Sequence, residues 1–196
     1  MNIFFLDKDP IIAAQYHCDK HCVKMILEYA QLLSTAHRVL DEDDAHPDLY
    51  DSLLDNKLSH ASPYARIIET GRAGRLVQVG IRTLNKHQRE QAEKFGVEIY
   101  QMKDLTKLSS LSFSKPVYCS IDIDALDPAY APGVSHFEPG GLSTRQLIDC
   151  LNGFKGRLIG ADIVEYNPKR DFHNLTAMVA AKLLKEVIAR IYHDNS

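Results

Sequence analysis

Two acidic residues, Asp122 and Asp124, end the apolar segment "KPVYCSIDID". Side chains alternate between the two faces of a strand, so both carboxylates project from one face at its carboxyl end. Carboxylates so close together repel each other unless a proton or a cation lies between them. The spacing is typical of a divalent cation site, although an exposed acidic loop after a strand explains D-x-D on its own equally well.

A second acidic group favours the cation interpretation. The stretch "DDAHPDLYD" contains Asp44, His46 and Asp48 at alternating positions. Carboxylate oxygens with one or two imidazoles suit Mn²⁺ better than a thiolate-rich site does. For this stretch alone, a solvated acidic turn around Pro47 is the simpler alternative. Taken together, the two groups predict a binuclear metal centre with bridging carboxylates.

The elements that must position these residues alternate between strand and helix from residue 59 onward. Apolar runs predict strands, and stretches with helical spacing, a Ser cap or a Gly stop predict helices. The strands are "RLVQVGIR", "VEIYQM", "KPVYCSIDID" and "RLIGADIVE", and the helices are "SHASPYARIIETG", "NKHQREQAEKFG", "STRQLIDCLNGF" and "NLTAMVAAKLLKEVIARIY". This order predicts an α/β fold with three layers, α-β-α, around a mostly parallel sheet. Ligands of such sheets bind outside the carboxyl ends of the strands.

The first part of the chain has a different character. After a short strand, "NIFFL", the run "DPIIAAQYHCDKHCVKMILEYAQLLSTAHRVL" predicts one long helix or a helix pair. We therefore expect an N-terminal helical appendage over residues 1–43 and an α/β domain over residues 44–196. His17 and His21 share one helix face, but a metal site there lacks a third ligand, so a packed amphipathic helix is the preferred interpretation.

Composition excludes several classes of function. The chain of 196 residues has a net charge of −3, which offers no basic surface for nucleic acid. No apolar run approaches the ~20 residues of a membrane span, so no membrane partner is expected. The four cysteines form no disulfide framework, and a reducing cytoplasm is the expected location.

The stretches "DAHPDLYD" and "SIDIDALDPAYAPG" closely resemble two signature motifs of the ureohydrolases, the arginase and agmatinase family. The similarity continues through "GGLSTRQL", "GADIVEYNP" and "TAMVAAKLLKEVI", and so extends from Asp44 to Tyr192. "SHASPYARI", "LVQVGIRT" and "EYNP" resemble agmatinase most. The resemblance implies an arginase-like fold, a small guanidino substrate and a homo-oligomer.

The resemblance also implies manganese-dependent hydrolysis of a guanidinium group to urea and an amine, with agmatine to putrescine as the expected reaction. By similarity, the metal ligands are Asp44, His46, Asp48, Asp122 and Asp124. Asp44 and Asp122 would bridge two Mn²⁺ ions, His60 would carry a proton to the leaving amine, and Glu165 would hold the guanidinium. Without the surrounding motifs, the simpler interpretation is that His60 is a structural histidine near a helix N-terminus. Glu165 would likewise be a surface residue at the end of a strand.

The chain departs from the family pattern in two ways. It has no Gly-Gly-Asp-His-Ser motif, whose histidine ligates one metal in the family, and the acidic "VLDED" stands where an apolar strand normally precedes the first motif. The resemblance therefore implies a truncated sheet and a centre that holds one or two Mn²⁺ ions. The alternative function is an impaired ureohydrolase that binds a single divalent ion or pairs with full-length subunits. A third possible function is that of a binding module formed by residues 1–43, which resemble the N-terminal segment of small phage-type proteins.

Overall fold

The computed structural model describes residues 2–5, 47–71 and 73–196. In this part of the chain, five strands form one sheet in the order β3-β2-β1-β4-β5. The strands are β1 (Asn2–Phe5), β2 (Arg75–Ile81), β3 (Glu98–Gln101), β4 (Val117–Asp122) and β5 (Leu158–Val164). The pairs β2–β3 and β4–β5 are parallel, whereas β1 is antiparallel to both of its neighbours.

The central position of β1 joins the two parallel pairs into one sheet. Asn2 lies opposite Gln78 of β2 on one side and opposite Ser120 of β4 on the other. The strands β2 to β5 all run in one direction, as the mostly parallel sheet predicted, and β1 is the exception. The helical segment predicted after β1, and the domain boundary at residues 43 and 44, lie outside the described residues.

Four α-helices of the described chain follow the predicted pattern: α1 (Pro63–Glu69), α2 (Lys86–Phe95), α3 (Thr144–Gly153) and α4 (Leu175–Asp194). Their ends are set by local chemistry: Asn85 caps α2 by accepting from the backbone N–H of Gln88, and Gly96 ends α2 in the left-handed region with φ 66°. Ser143 and Gln146 form a reciprocal capping box at α3. Within the described ranges, no helix is long and apolar enough to cross a bilayer.

Short 3₁₀ helices occupy Met102–Ser110, Ile123–Ala125 and Phe172–Asn174. The first was not predicted, and it connects β3 to the loop before β4. The second matters most for function, because it follows β4 directly and carries Asp124.

Apolar side chains cover both faces of the sheet. On one face, Val79 of β2 and Ile121 of β4 pack with Leu147 of α3 and Leu183 of α4. The opposite face carries a smaller cluster that includes Leu76, Tyr64 of α1 and Ala92 of α2, with Tyr118 packed against it. Two helical layers therefore enclose the sheet, which confirms the predicted three-layer arrangement and leaves the carboxyl ends of β2, β4 and β5 together at one edge.

Candidate active site

The carboxylates of Asp122 and Asp124 are held at the carboxyl end of β4. Asp122 is the last residue of the strand and is only 6% exposed. Its Oδ1 atom accepts a hydrogen bond of 2.9 Å from the backbone N–H of Asp124, so it caps the 3₁₀ turn Ile123–Ala125. The predicted strand does not continue to Asp124: the turn, and not the alternation of strand side chains, places the second carboxylate near the first.

The two carboxyl groups lie close together, and this crowding affects the protonation of each. Burial raises the pKa of Asp122. Burial raises the pKa of Asp124 well above its usual range, and the negative charges of Asp122, Asp48 and Glu165 add to the effect. Three acidic side chains therefore surround Asp124 closely enough to oppose its ionisation.

Glu165 reaches this group because the chain turns sharply after β5. Asp122 lies opposite Val164 in the parallel register, so Glu165 follows the last residue of β5 at the same edge of the sheet. Glu165 adopts φ 62°, a left-handed conformation that non-glycine residues seldom take. The predicted substrate-binding carboxylate thus lies beside the predicted metal ligands.

Asp48 approaches from an irregular segment that is fastened to the rest of the fold. The buried side chain of Gln78 donates a hydrogen bond of 2.6 Å to the carbonyl of Pro47, and the backbone N–H of Tyr64 donates to the carbonyl of Asp48. Leu49 is fully buried, and Asp48 itself takes φ 49°. Opposite orientations of neighbouring side chains place Leu49 in the core and Asp48 near Asp124.

The described residues supply only part of the predicted metal centre. Asp44 and His46 lie outside the described residues, and their placement stays a prediction. Within residues 47–71 and 73–196, no group of three or more His, Cys, Asp or Glu side chains is arranged to hold a metal ion by itself. The donors that do converge are carboxylate oxygens, and their crowding is of the kind that a hard divalent cation such as Mn²⁺ relieves.

Arg82 is a component of the site that the sequence analysis missed. Its guanidinium donates to the carbonyl of Asp124 at 2.6 Å and to the carbonyl of Ala125 at 2.9 Å. Burial lowers the pKa of Arg82, and the charges of four nearby carboxylates, those of Asp124, Glu138, Asp127 and Asp122, oppose that shift. Arg82 therefore fixes the backbone of the turn and offsets part of the negative charge. Its signal in the sequence is a single arginine at the end of an apolar strand.

His60, the predicted proton carrier, lies beside a second imidazole. The rings of His60 and His136 are nearly parallel, with 10° between their planes and 6.4 Å between their centroids. His136 is also near enough to Asp122 to favour its ionised form electrostatically. His136 was missed as well, although it stands in the stretch "GVSHFEPGG" that follows the D-x-D motif.

The loop that carries His136 is tied to the segment after Glu165. The side-chain amide of Asn167 donates to the hydroxyl of Ser135 at 3.0 Å, and the guanidinium of Arg170 donates to the carbonyl of Ser135 at 3.0 Å. The backbone N–H of Gly133 donates to the hydroxyl of Thr176 at 2.6 Å. These contacts fix the backbone position of the loop that carries His136.

Comparison with known proteins agrees with this geometry. The sequence matches the arginase family over residues 38–189. It is 54% identical over 156 residues to "Arginase 1, mitochondrial" of Arabidopsis thaliana, covering 76% of this chain and 46% of that protein. It is 33% identical over 151 residues to the agmatinase of Bacillus cereus, covering 74% of this chain and 52% of that protein. The expected closeness to agmatinase is therefore wrong, because identity with a plant arginase is higher.

Solved structures show the same relationship. The arginase from Medicago truncatula superposes with a TM-score of 0.70 at 45% sequence identity, covering 83% of this chain and 55% of that one. A Mn²⁺-bound variant of the arginase-like protein of T. brucei superposes with a TM-score of 0.68 at 30% identity, covering 84% of this chain and 58% of that one. The chain spans about half the length of the curated relatives it matches. The chain belongs to the arginase family.

Proposed function

We propose that the chain is a manganese-dependent ureohydrolase that hydrolyses the guanidinium group of arginine to urea and an amine. The observation that carries the proposal is the convergence of Asp48, Asp122 and Glu165 on Asp124. Identity with the arginase of Arabidopsis thaliana, higher than that with an agmatinase, favours arginine over agmatine as substrate.

The predicted ligands would hold manganese through their carboxylate oxygens: Asp48, Asp122 and Asp124 in the described chain, with Asp44 and His46 in the part outside it. Manganese, when bound, supplies the Lewis acidity that lets water react near neutral pH. Glu165 holds the substrate by accepting hydrogen bonds from the planar guanidinium, a charge-assisted pairing with defined orientation.

The histidines account for the proton that the leaving amine needs. When the carbon–nitrogen bond breaks, the departing nitrogen must gain a proton, and an imidazole carries one at neutral pH. His60 takes this role in the proposal, with His136 alongside it. Arg82 holds the turn that presents Asp124 and stays outside the proton transfer.

Urea release by the purified full chain tests the proposal. Arginine, agmatine and guanidinobutyrate are each incubated with chelator-treated protein, with and without added Mn²⁺. We expect manganese-dependent urea formation that is highest with arginine, lost in Asp122→Asn and retained in Asp149→Asn, a matched exchange on the exposed face of α3. Urea formation from none of the three substrates at saturating Mn²⁺ would reject hydrolysis.

The second candidate function is an impaired relative that binds one divalent ion or pairs with full-length subunits. It is motivated by the sequence, which contains no Gly-Gly-Asp-His-Ser motif to supply the histidine that ligates one metal in the family. Metal content after dialysis separates the two: two ions per chain with turnover support the enzyme, and one ion without turnover supports the impaired relative. Light scattering with and without a full-length arginase tests the pairing.

A further inference from the structure

Another carboxylate, that of Asp162, lies beside the candidate site and is neither a predicted metal ligand nor a predicted substrate-binding residue. Asp162 of β5 stands opposite Ser120 in the parallel register, and Ser120 precedes Asp122 by two residues on the same face of β4. The hydroxyl of Ser120 donates to Oδ1 of Asp162 at 2.5 Å, and the hydroxyl of Tyr118 donates to Oδ2 at 3.0 Å. Both oxygens are therefore held, and the carboxylate has a fixed orientation.

Within the described chain, the carboxylate of Asp162 accepts hydrogen bonds only from these two neutral hydroxyls. Burial raises the pKa of Asp162, and the charge of Asp122 raises it further, against the lowering effect of the two hydroxyls. The Asp122 and Asp162 carboxylates are thus electrostatically coupled. In a metal-free chain this coupling is unfavourable, since like charges oppose each other in a poorly solvated site.

We propose that Asp162 supports the candidate metal centre through its charge: held in one orientation by Ser120 and Tyr118, its carboxylate supplies negative charge that strengthens cation binding at Asp122. The inference rests on the proposed function only in assuming that a divalent cation binds there. Asp162 contacts neither the cation nor the substrate in this account. It acts through its own charge on a cation held at Asp122.

A purely structural role makes a different prediction. If Asp162 only pinned β4 to β5, its replacement would lower the thermal stability of the metal-free chain and leave the affinity for cations unchanged. If the charge of Asp162 strengthens cation binding, the neutral substitution Asp162→Asn has the opposite effects. The metal-free chain keeps or gains thermal stability, and the affinity for the cation falls. The signs of the two changes therefore distinguish the roles.

The experiment titrates the chelator-treated full chain with Mn²⁺ by calorimetry at pH 7 and records the melting temperature of the metal-free protein. Asp162→Asn keeps the shape and can still accept from Ser120, but removes the charge. We expect a dissociation constant for Mn²⁺ about 10-fold weaker, the lower end of what outer-shell losses cost, with an unchanged or higher melting temperature. Asp149→Asn is the charge-matched control, and Tyr118→Phe keeps the charge, so its affinity should stay close to that of the wild type.

An Asp162→Asn chain that binds Mn²⁺ as tightly as the wild type would overturn the inference. So would equal weakening in Tyr118→Phe, because that result would assign the effect to packing and not to charge. Wild-type chain that binds Mn²⁺ without releasing urea would reject the catalytic proposal and leave the test of Asp162 intact. Wild-type chain that binds no Mn²⁺ would overturn both.

Discussion

The backbone N–H of Asp124 donates a hydrogen bond of 2.9 Å to the carboxylate of Asp122, and burial raises the pKa of both side chains. Two buried carboxyl groups this close together favour a state in which one of them keeps its proton. A divalent cation can take the place of that proton. The geometry that destabilises the metal-free chain therefore favours the metal-bound one.

The first prediction concerns Asp124→Asn. The folded-state pKa of Asp124 is raised, so the group destabilises the metal-free fold increasingly as the pH rises from its ordinary value toward the raised one. Removing the titration should raise the melting temperature at pH 7, by about 2–4 °C for each kcal/mol gained, and abolish further stabilisation by Mn²⁺. Differential scanning calorimetry with and without Mn²⁺ checks both; a lower melting temperature without metal would show that the carboxyl pair stabilises the fold.

Glu165→Gln separates substrate binding from metal binding. The amide keeps the size of the side chain but removes the charge that pairs with a guanidinium, a contact worth roughly 10- to 100-fold in affinity. We expect kcat/KM for arginine to fall by that factor while the number of Mn²⁺ ions bound per chain is unchanged. Glu93→Gln, on the exposed side of α2, is the control. Equal loss in both variants would argue against a specific role for Glu165.

Gly133 tests the loop that carries His136. A Cβ atom there would lie 2.7 Å from Cβ of Asp171 and 2.8 Å from the hydroxyl oxygen of Thr176, so the loop must move to accept it. Gly133→Ala should lower stability by roughly 1–3 kcal/mol, the usual cost of overpacking. Gly153→Ala meets nothing within 4 Å and should be neutral or stabilising. Urea denaturation of both variants checks the contrast, and similar midpoints would mean that the loop adapts freely.

A fourth prediction concerns the end of α4, where Arg190 joins the helix to the end of α3 and the segment before β5. Arg190 bonds Asp194 at 2.7 Å and the carbonyls of Leu151, Phe154 and Gly156, and Asp194 accepts from the backbone N–H of Leu158. Both side chains are only 13% exposed, so Arg190→Ala should cost about 3 kcal/mol, as for other broken buried pairs. Arg190→Lys should recover only part of this, because an ammonium cannot reproduce the fork of donors.

The Arg190–Asp194 pair also predicts how the stability of the fold depends on pH in the acidic range. Burial opposes ionisation of Asp194, but hydrogen bonds from Leu158 and Arg190 outweigh it and lower its pKa. A lowered pKa contributes stability above the ordinary value near 4 that is lost as the pH falls through the folded-state value. Stability measured between pH 5 and pH 2 should therefore fall less steeply in Asp194→Asn. A slope identical to the wild type would contradict this assignment.

The acidic end of β4, the Ser143 cap and the Gly96 stop were predictable, because they follow from strand patterning and backbone hydrogen bonding. The predicted continuation of the strand to Asp124 was wrong, because β4 ends at Asp122 and Asp124 lies in the 3₁₀ turn Ile123–Ala125. Such rules act within a few residues. They were sufficient for the strands, the helices and the three layers from residue 59 onward.

Other features depend on contacts between distant segments, which a sequence pattern does not reveal. Arg82 belongs to the site because the sheet places the ends of β2 and β4 at one edge. His136 belongs to it because its loop lies beside His60. The central, antiparallel position of β1 was missed for the same reason: four residues, Asn2–Phe5, carry no signal for which strands they join. The sequence places Asp162 in an apolar strand, and only the register of β5 against β4 shows that it lies opposite Ser120.

The central claim is that these carboxylates gather to hold a divalent cation, and calorimetric titration of the chelator-treated full chain with Mn²⁺ tests it most directly. We expect saturable binding of one or two ions per chain, loss of that binding in Asp122→Asn and no loss in Asp149→Asn. Binding that is absent at millimolar Mn²⁺, or that is equally strong in Asp122→Asn, would contradict it.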